Sequence, residues 1–98
     1  DDSARQSIYL SEGLAHGFLA LQDDTTLMYL CSTPYTPQRE YTICPTDPEI
    51  GVAWPIPADR FILSERDAAA PSLAEVRSAG LLPKWDDTRA FIAALPAD

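Results

Sequence analysis

The run HGFLALQDDTTLMYLCS, from His16 to Ser32, decides how this chain is read. Two apolar and aromatic segments, 16–21 and 26–32, flank the polar tetrapeptide Gln22-Asp23-Asp24-Thr25. Strand, turn and strand in that order is the pattern of a β-hairpin. If the four polar residues are the loop, Leu21 pairs with Thr26, Phe18 with Tyr29 and His16 with Cys31. Directly paired residues share a face, so His16, Phe18, Tyr29 and Cys31 would line one side of a sheet. A slip of one residue would place His16 and Tyr29 on opposite faces, so the grouping depends on the loop.

Outward from the hairpin the pattern stays β-rich and then changes. Ile8-Tyr9-Leu10 reads as a short strand ending at Ser11-Glu12-Gly13. Between Thr33 and Pro57 the prolines at 34, 37, 45, 48, 55 and 57 forbid long regular structure, leaving Tyr41 to Cys44 as the best strand candidate. Phe61-Ile62-Leu63 is another short apolar run. Beyond it the signals turn helical. Ser64 can cap a one-turn helix that reaches Ala70 and stops at Pro71. Ser72-Leu73-Ala74-Glu75 has the capping-box spacing and opens a helix that Gly80 closes. Asp86-Asp87 precede a third helix over Thr88 to Leu95, with Phe91, Ile92 and Leu95 at helical spacing. The expected layout is strands over 1–63 and a short helical segment over 64–98, with no internal repeat.

Composition narrows the function. Ninety-eight residues leave room for one domain or part of one, and a chain that short has a thin core. Hydrophobic residues at 46% and charged residues at 22% fit an ordinary globular protein rather than a disordered tail. The net charge of -8 argues against nucleic-acid binding and anionic membranes, both of which need a positive field. Five of the seven basic residues lie from Arg60 onward, so any attraction for a phosphate is local. Cys31 and Cys44 lack metal-ligand spacing and read as buried free thiols. The single His16 rules out a multi-histidine metal site within the chain. The opening Asp1-Asp2-Ser3-Ala4-Arg5 has no initiator Met and runs at once into a strand-like segment, as expected of a piece of a longer protein.

Taken singly, the polar and aromatic residues have structural readings. His16 is then a satisfied strand histidine and Tyr29 a core aromatic with its hydroxyl on backbone. Tyr35 is loop packing, and Arg39-Glu40 a solvated pair. Ser64-Glu65-Arg66-Asp67 is helix N-terminal chemistry, with acids favoured by the dipole. Trp54 and Trp85 are packing anchors.

Taken in order, they point elsewhere. Ser11-Glu12-Gly13-Leu14-Ala15-His16-Gly17-Phe18-Leu19-Ala20-Leu21 resembles the PEGxAHGFL strand of the dTDP-4-dehydrorhamnose 3,5-epimerase family. Tyr29, Pro34-Tyr35, Gln38-Arg39-Glu40, Thr46-Asp47-Pro48-Glu49-Ile50 with Trp54-Pro55, and Leu63-Ser64-Glu65-Arg66-Asp67 then follow in the family's order. The tail Gly80-Leu81-Leu82-Pro83-Lys84-Trp85 looks most like actinobacterial members. Each motif alone is weak, and their combination from about residue 6 to about residue 85 is specific.

The resemblance implies a mainly β chain, the C-terminal part of a cupin-type jelly-roll barrel with short C-terminal helices. The family's barrel is close to twice this length, and it dimerises. Its activity is removal and return of protons at C3 and C5 of a dTDP-4-keto-6-deoxy sugar, in the cytoplasm and without a cofactor or metal. Carried over by position, Tyr29 matches the proton donor and Asp67 the aspartate that orients the base histidine. His16 matches a substrate contact, Tyr35 the tyrosine that stacks on thymine, and Glu40 and Arg66 nucleotide contacts. The base histidine and the enolate-stabilising lysine belong to the family's N-terminal half and have no counterpart here. The alternatives are a truncated, non-catalytic binding or structural β-domain, and a relative that inverts one carbon of another dTDP-4-keto sugar.

Overall fold

The computed structural model describes residues 3–97; the Asp1-Asp2 opening lies outside them. Two compact units are present, one built from the chain up to His16 together with the segment from Pro83, the other from Gly17–Leu82.

In the larger unit the predicted loop of the hairpin is a turn. Asp24 sits in the left-handed region at φ 58, which aspartate tolerates better than most residues, and Thr25 Oγ1 donates to Gln22 O at 2.8 Å. Every residue from 20 to 41 is exposed, and no backbone ladder joins 17–21 to 26–32 among the described residues. The co-facial grouping of Phe18, Tyr29 and Cys31 is therefore not imposed by pairing. A two-stranded hairpin is marginal in water until its face is covered. Here it is bare, with Met28 and Leu30 almost wholly exposed.

Burial increases toward the C-terminal part of this unit. A 310 turn at Pro37–Arg39 precedes an irregular segment that opens in extended conformation at Glu40 and turns at Pro45; its residues from Thr42 to Pro45 are half-buried. The loop that follows is closed by its own groups. Trp54 Nε1 donates to Pro45 O at 2.8 Å, and the Trp54 ring meets Phe61 edge-on at 5.7 Å. Trp54 is thus the anchor its sequence context predicts. A second 310 turn, Ala58–Arg60, leads to Phe61-Ile62-Leu63, of which Phe61 is half-buried.

Helix α1, Glu65–Ala68, starts where Ser64 accepts the Asp67 backbone N–H at 3.1 Å. Helix α2, Leu73–Ser78, carries the full reciprocal capping box of Ser72 and Glu75. Gly80 at φ 70 ends it, with Gly80 N–H bonded to Arg77 O and Leu81 N–H to Val76 O, the Schellman pattern. Val76 on this helix is the one buried apolar side chain among the described residues, at 3% exposure.

Helix α3, Trp85–Ala93, belongs to the smaller unit and begins three residues before the predicted start at Thr88. Asp86 and Asp87 therefore lie inside its first turn, where the dipole favours them, rather than ahead of it. Thr88 is buried against Gly13: a Cβ at Gly13 would come within 2.6 Å of Thr88 Oγ1. Gly13 also has φ +82, so both space and conformation call for glycine. Trp85 corrects the sequence reading, since it is exposed rather than anchored. Both cysteines are free, but Cys31 is exposed and Cys44 only half-buried, with its thiol beside Thr46 Oγ1. Neither is the buried thiol expected from sequence; Cys31 lies in the bare segment after the turn and Cys44 in the half-buried stretch 42–45.

Candidate functional site

Six residues carry the chemistry expected from sequence. His16 falls in the smaller unit; Tyr29, Tyr35, Glu40, Arg66 and Asp67 fall in the larger one. Tyr29 and Tyr35 are exposed, at 71% and 69%. Neither is buried within this chain, in common with every residue from 20 to 41.

The local sequence explains how Arg66 and Asp67 are held. Both sit in the single turn of α1, and Ser64 fixes its start through the Asp67 N–H. Arg66 is the second helical residue and Asp67 the third, and the Asp67 side chain is half-buried. On the other side, Glu40 closes the 310 turn Pro37–Arg39, where its own N–H reaches Pro37 O. The backbone is extended at Glu40.

The structure brings Glu40 and Arg66 together. They line one cavity of about 340 Å³, with Tyr41, Ala70, Val76 and Leu81 supplying apolar wall. An acid and a guanidinium at the rim of an apolar pocket can take a ligand with a flat or apolar body and a polar, anionic end. Glu40 would accept from N–H or O–H groups, and Arg66 would donate a planar fork to phosphate oxygens.

A second cavity, about 360 Å³, lies inside the loop after Cys44 and is lined by Pro45, Asp47, Val52, Trp54 and Ile56 among others. Asp47 there is nearly buried, at 9% exposure, yet fully used. Its Oδ1 accepts the Glu49 N–H at 2.8 Å, and its Oδ2 accepts the Leu73 N–H at 2.6 Å. Sequence reasoning gave Asp47 a place in a motif and no role. The Asp-Pro-Glu spacing signals the local turn, but nothing local announces a partner 26 residues away.

Of the titratable groups, Glu75 shows a displaced pKa. The Ser72 backbone N–H, and after it the Ser72 hydroxyl, donate to its carboxylate and hold it below the ordinary glutamate range. The ion pair between Arg77 and Glu49 joins α2 to the same loop on its exposed side.

Comparisons with known proteins identify the family. The sequence model of the family described as dTDP-4-dehydrorhamnose 3,5-epimerase matches residues 1–75. A dTDP-4-dehydrorhamnose 3,5-epimerase of Mycobacterium tuberculosis is 61% identical over 93 residues, 94% of this chain and 46% of the relative. That of Mycolicibacterium smegmatis is 60% identical over 95 residues, with 97% and 46% covered. A dTDP-4-dehydrorhamnose 3-epimerase of Streptomyces niveus is 45% identical over 97 residues, covering 99% of this chain and 46% of the relative. The solved structure of the Mycobacterium tuberculosis rmlC epimerase superposes with a TM-score of 0.83 at 60% identity, over 90% of this chain and 44% of that one. The chain thus has the fold of the matched part of that structure, and it spans a little under half the length of the relatives it matches.

Proposed function

The chain belongs to the dTDP-4-dehydrorhamnose 3,5-epimerase family, and from that premise we propose that it forms the C-terminal half of such an enzyme. The observation that carries the reading is the cavity shared by Glu40 and Arg66, two residues that the resemblance had assigned to one nucleotide. In this reading residues 1–63 supply the C-terminal strands of a cupin-type jelly roll, and 64–98 pack on it as a short helical segment. The assembled enzyme is a cytoplasmic homodimer with neither nucleic acid nor membrane as partner.

The substrate is a dTDP-4-keto-6-deoxy sugar. Its keto group acidifies the C–H bonds at C3 and C5, so the reaction needs a base on one face, a proton donor on the other and a donor at the developing enolate oxygen. Tyr29 returns the proton. What supports this role is the position of Tyr29 in the family's motif order, ahead of Pro34-Tyr35 and Gln38-Arg39-Glu40. Asp67 orients the histidine base contributed by the N-terminal half, and stabilises the imidazolium that forms when the base takes up a proton. His16 contacts the sugar, Tyr35 stacks on the thymine, and Glu40 and Arg66 grip the nucleotide. No cofactor is required by the chemistry.

A second reading is epimerisation at C3 alone, favoured by the name of the Streptomyces niveus relative. The higher identity to the two mycobacterial 3,5-epimerases favours inversion at both carbons. The test is a chimera in which this chain replaces the C-terminal half of the Mycobacterium tuberculosis relative. Solvent deuterium entering both C3 and C5 is the expected result. Entry at C3 alone would select the second reading, and entry at neither would overturn both.

A further inference from the structure

The two residues that line the proposed nucleotide cavity come from different segments, and something must hold those segments in register. Glu40 opens the irregular segment that runs to Cys44, and Arg66 lies on α1. Besides the exposed Arg77–Glu49 ion pair, two hydrogen bonds from backbone N–H groups tie the two stretches. Cys44 N–H bonds to Pro71 O at 2.8 Å, and Asp47 Oδ2 takes the Leu73 N–H at 2.6 Å.

Of these two hydrogen bonds, the second is built around a side chain that is itself buried. Asp47 Oδ1 is committed to Glu49 N–H, and Asp47 O accepts from both Ile50 N–H and Gly51 N–H at 3.1 Å. The carboxylate is therefore immobilised by its own loop before it reaches across. What it reaches is the first helical N–H of α2, next to the linker 69–71 that walls the Glu40–Arg66 cavity. Asp47 itself does not line that cavity.

We propose that Asp47 is a positioning residue for nucleotide binding: by holding the Leu73 N–H it sets the α1–α2 segment, and with it Arg66, against Glu40. The inference rests on the nucleotide reading given above. An aspartate is required because both of its oxygens accept. An asparagine has one acceptor and would turn an NH2 toward a backbone N–H.

The experiment measures dTDP affinity by calorimetry in the chimera, at a temperature where circular dichroism shows every variant folded. Asp47→Asn is expected to weaken dTDP binding about tenfold, the scale set by one charge-assisted bond. Leu73→Pro removes the N–H at a position where helices accept proline, and Ser72 before it already has the extended backbone that proline needs, at ψ 162. It is expected to weaken binding to a similar degree, and it carries the test if Asp47→Asn does not fold. In an Arg66→Gln background, Asp47→Asn should add almost nothing, because the effect passes through Arg66. Unchanged affinity in the foldable variants, or full additivity with Arg66→Gln, overturns the positioning role. If Glu40→Gln and Arg66→Gln themselves leave affinity unchanged, the nucleotide reading fails first and takes this inference with it.

Discussion

Tyr29 and Gly13 show how differently a single residue can matter. Tyr29 is exposed, and if its hydroxyl is the proposed donor, Tyr29→Phe should leave folding of the chimera intact and slow epimerisation by about 10²–10⁴-fold, the range for loss of a general acid. Turnover and deuterium incorporation measured on one sample check this; incorporation that persists at both carbons at the parent rate removes Tyr29 from the mechanism. Gly13 contributes by having no side chain. Gly13→Ala meets Thr88 Oγ1 and forces alanine to φ +82, which together should cost about 1–3 kcal/mol in urea unfolding. Thr88→Ala in the same chain should relieve the steric part and leave the conformational part. A full recovery would mean that the backbone angle is not a constraint.

At the scale of elements, the helices depend on a few polar caps. Ser64 accepts the Asp67 N–H, so Ser64→Ala should destabilise by about 1 kcal/mol and loosen the turn that presents Arg66 and Asp67. Denaturant titration gives the first effect, and weaker dTDP binding by the chimera would report the second. The capping box of α2 adds a pH dependence. The Glu75 carboxylate is held below its ordinary range by the Ser72 N–H and hydroxyl, so its folded pKa is lower than its unfolded one. It therefore supports folding fully above the ordinary glutamate pKa, and that support is lost as pH falls through the lowered value. Helix content followed by circular dichroism from about pH 6 to about pH 2 should show this loss, and Glu75→Gln should flatten that component. The caps were legible in sequence because each partner lies within three residues. The start of α3 was not, because Asp86 and Asp87 serve equally well as caps or as first-turn acids, and backbone geometry chooses between them.

For the whole molecule the decisive fact is how little apolar surface is covered. Leu30 at 97% and Ile62 at 99% are exposed, and Val76 alone of the described apolar side chains is buried. Burial of apolar area is the main favourable term in folding, so on the half-enzyme reading residues this bare belong to a surface that the N-terminal half covers. The chain by itself should therefore show no epimerisation and should bind the dye ANS strongly. Adding the separately made N-terminal half of the mycobacterial relative should suppress dye fluorescence and restore turnover. Turnover by the isolated chain would overturn the half-enzyme reading.

The family, the turn at 22–25, the caps of α1 and α2 and the glycine that ends α2 can be read along the chain. These depend on bonds within five residues or on motif order. That Glu40 and Arg66 share a cavity, that Thr88 needs a glycine opposite, and that Asp47 is buried on the N–H of Leu73 emerges only once distant segments pack. Those contacts join residues 26 or more positions apart, and residue identity does not specify which distant backbone group will lie within 3 Å. Helix turns close on themselves, whereas a strand's bonds and a cavity's walls exist only when another segment arrives.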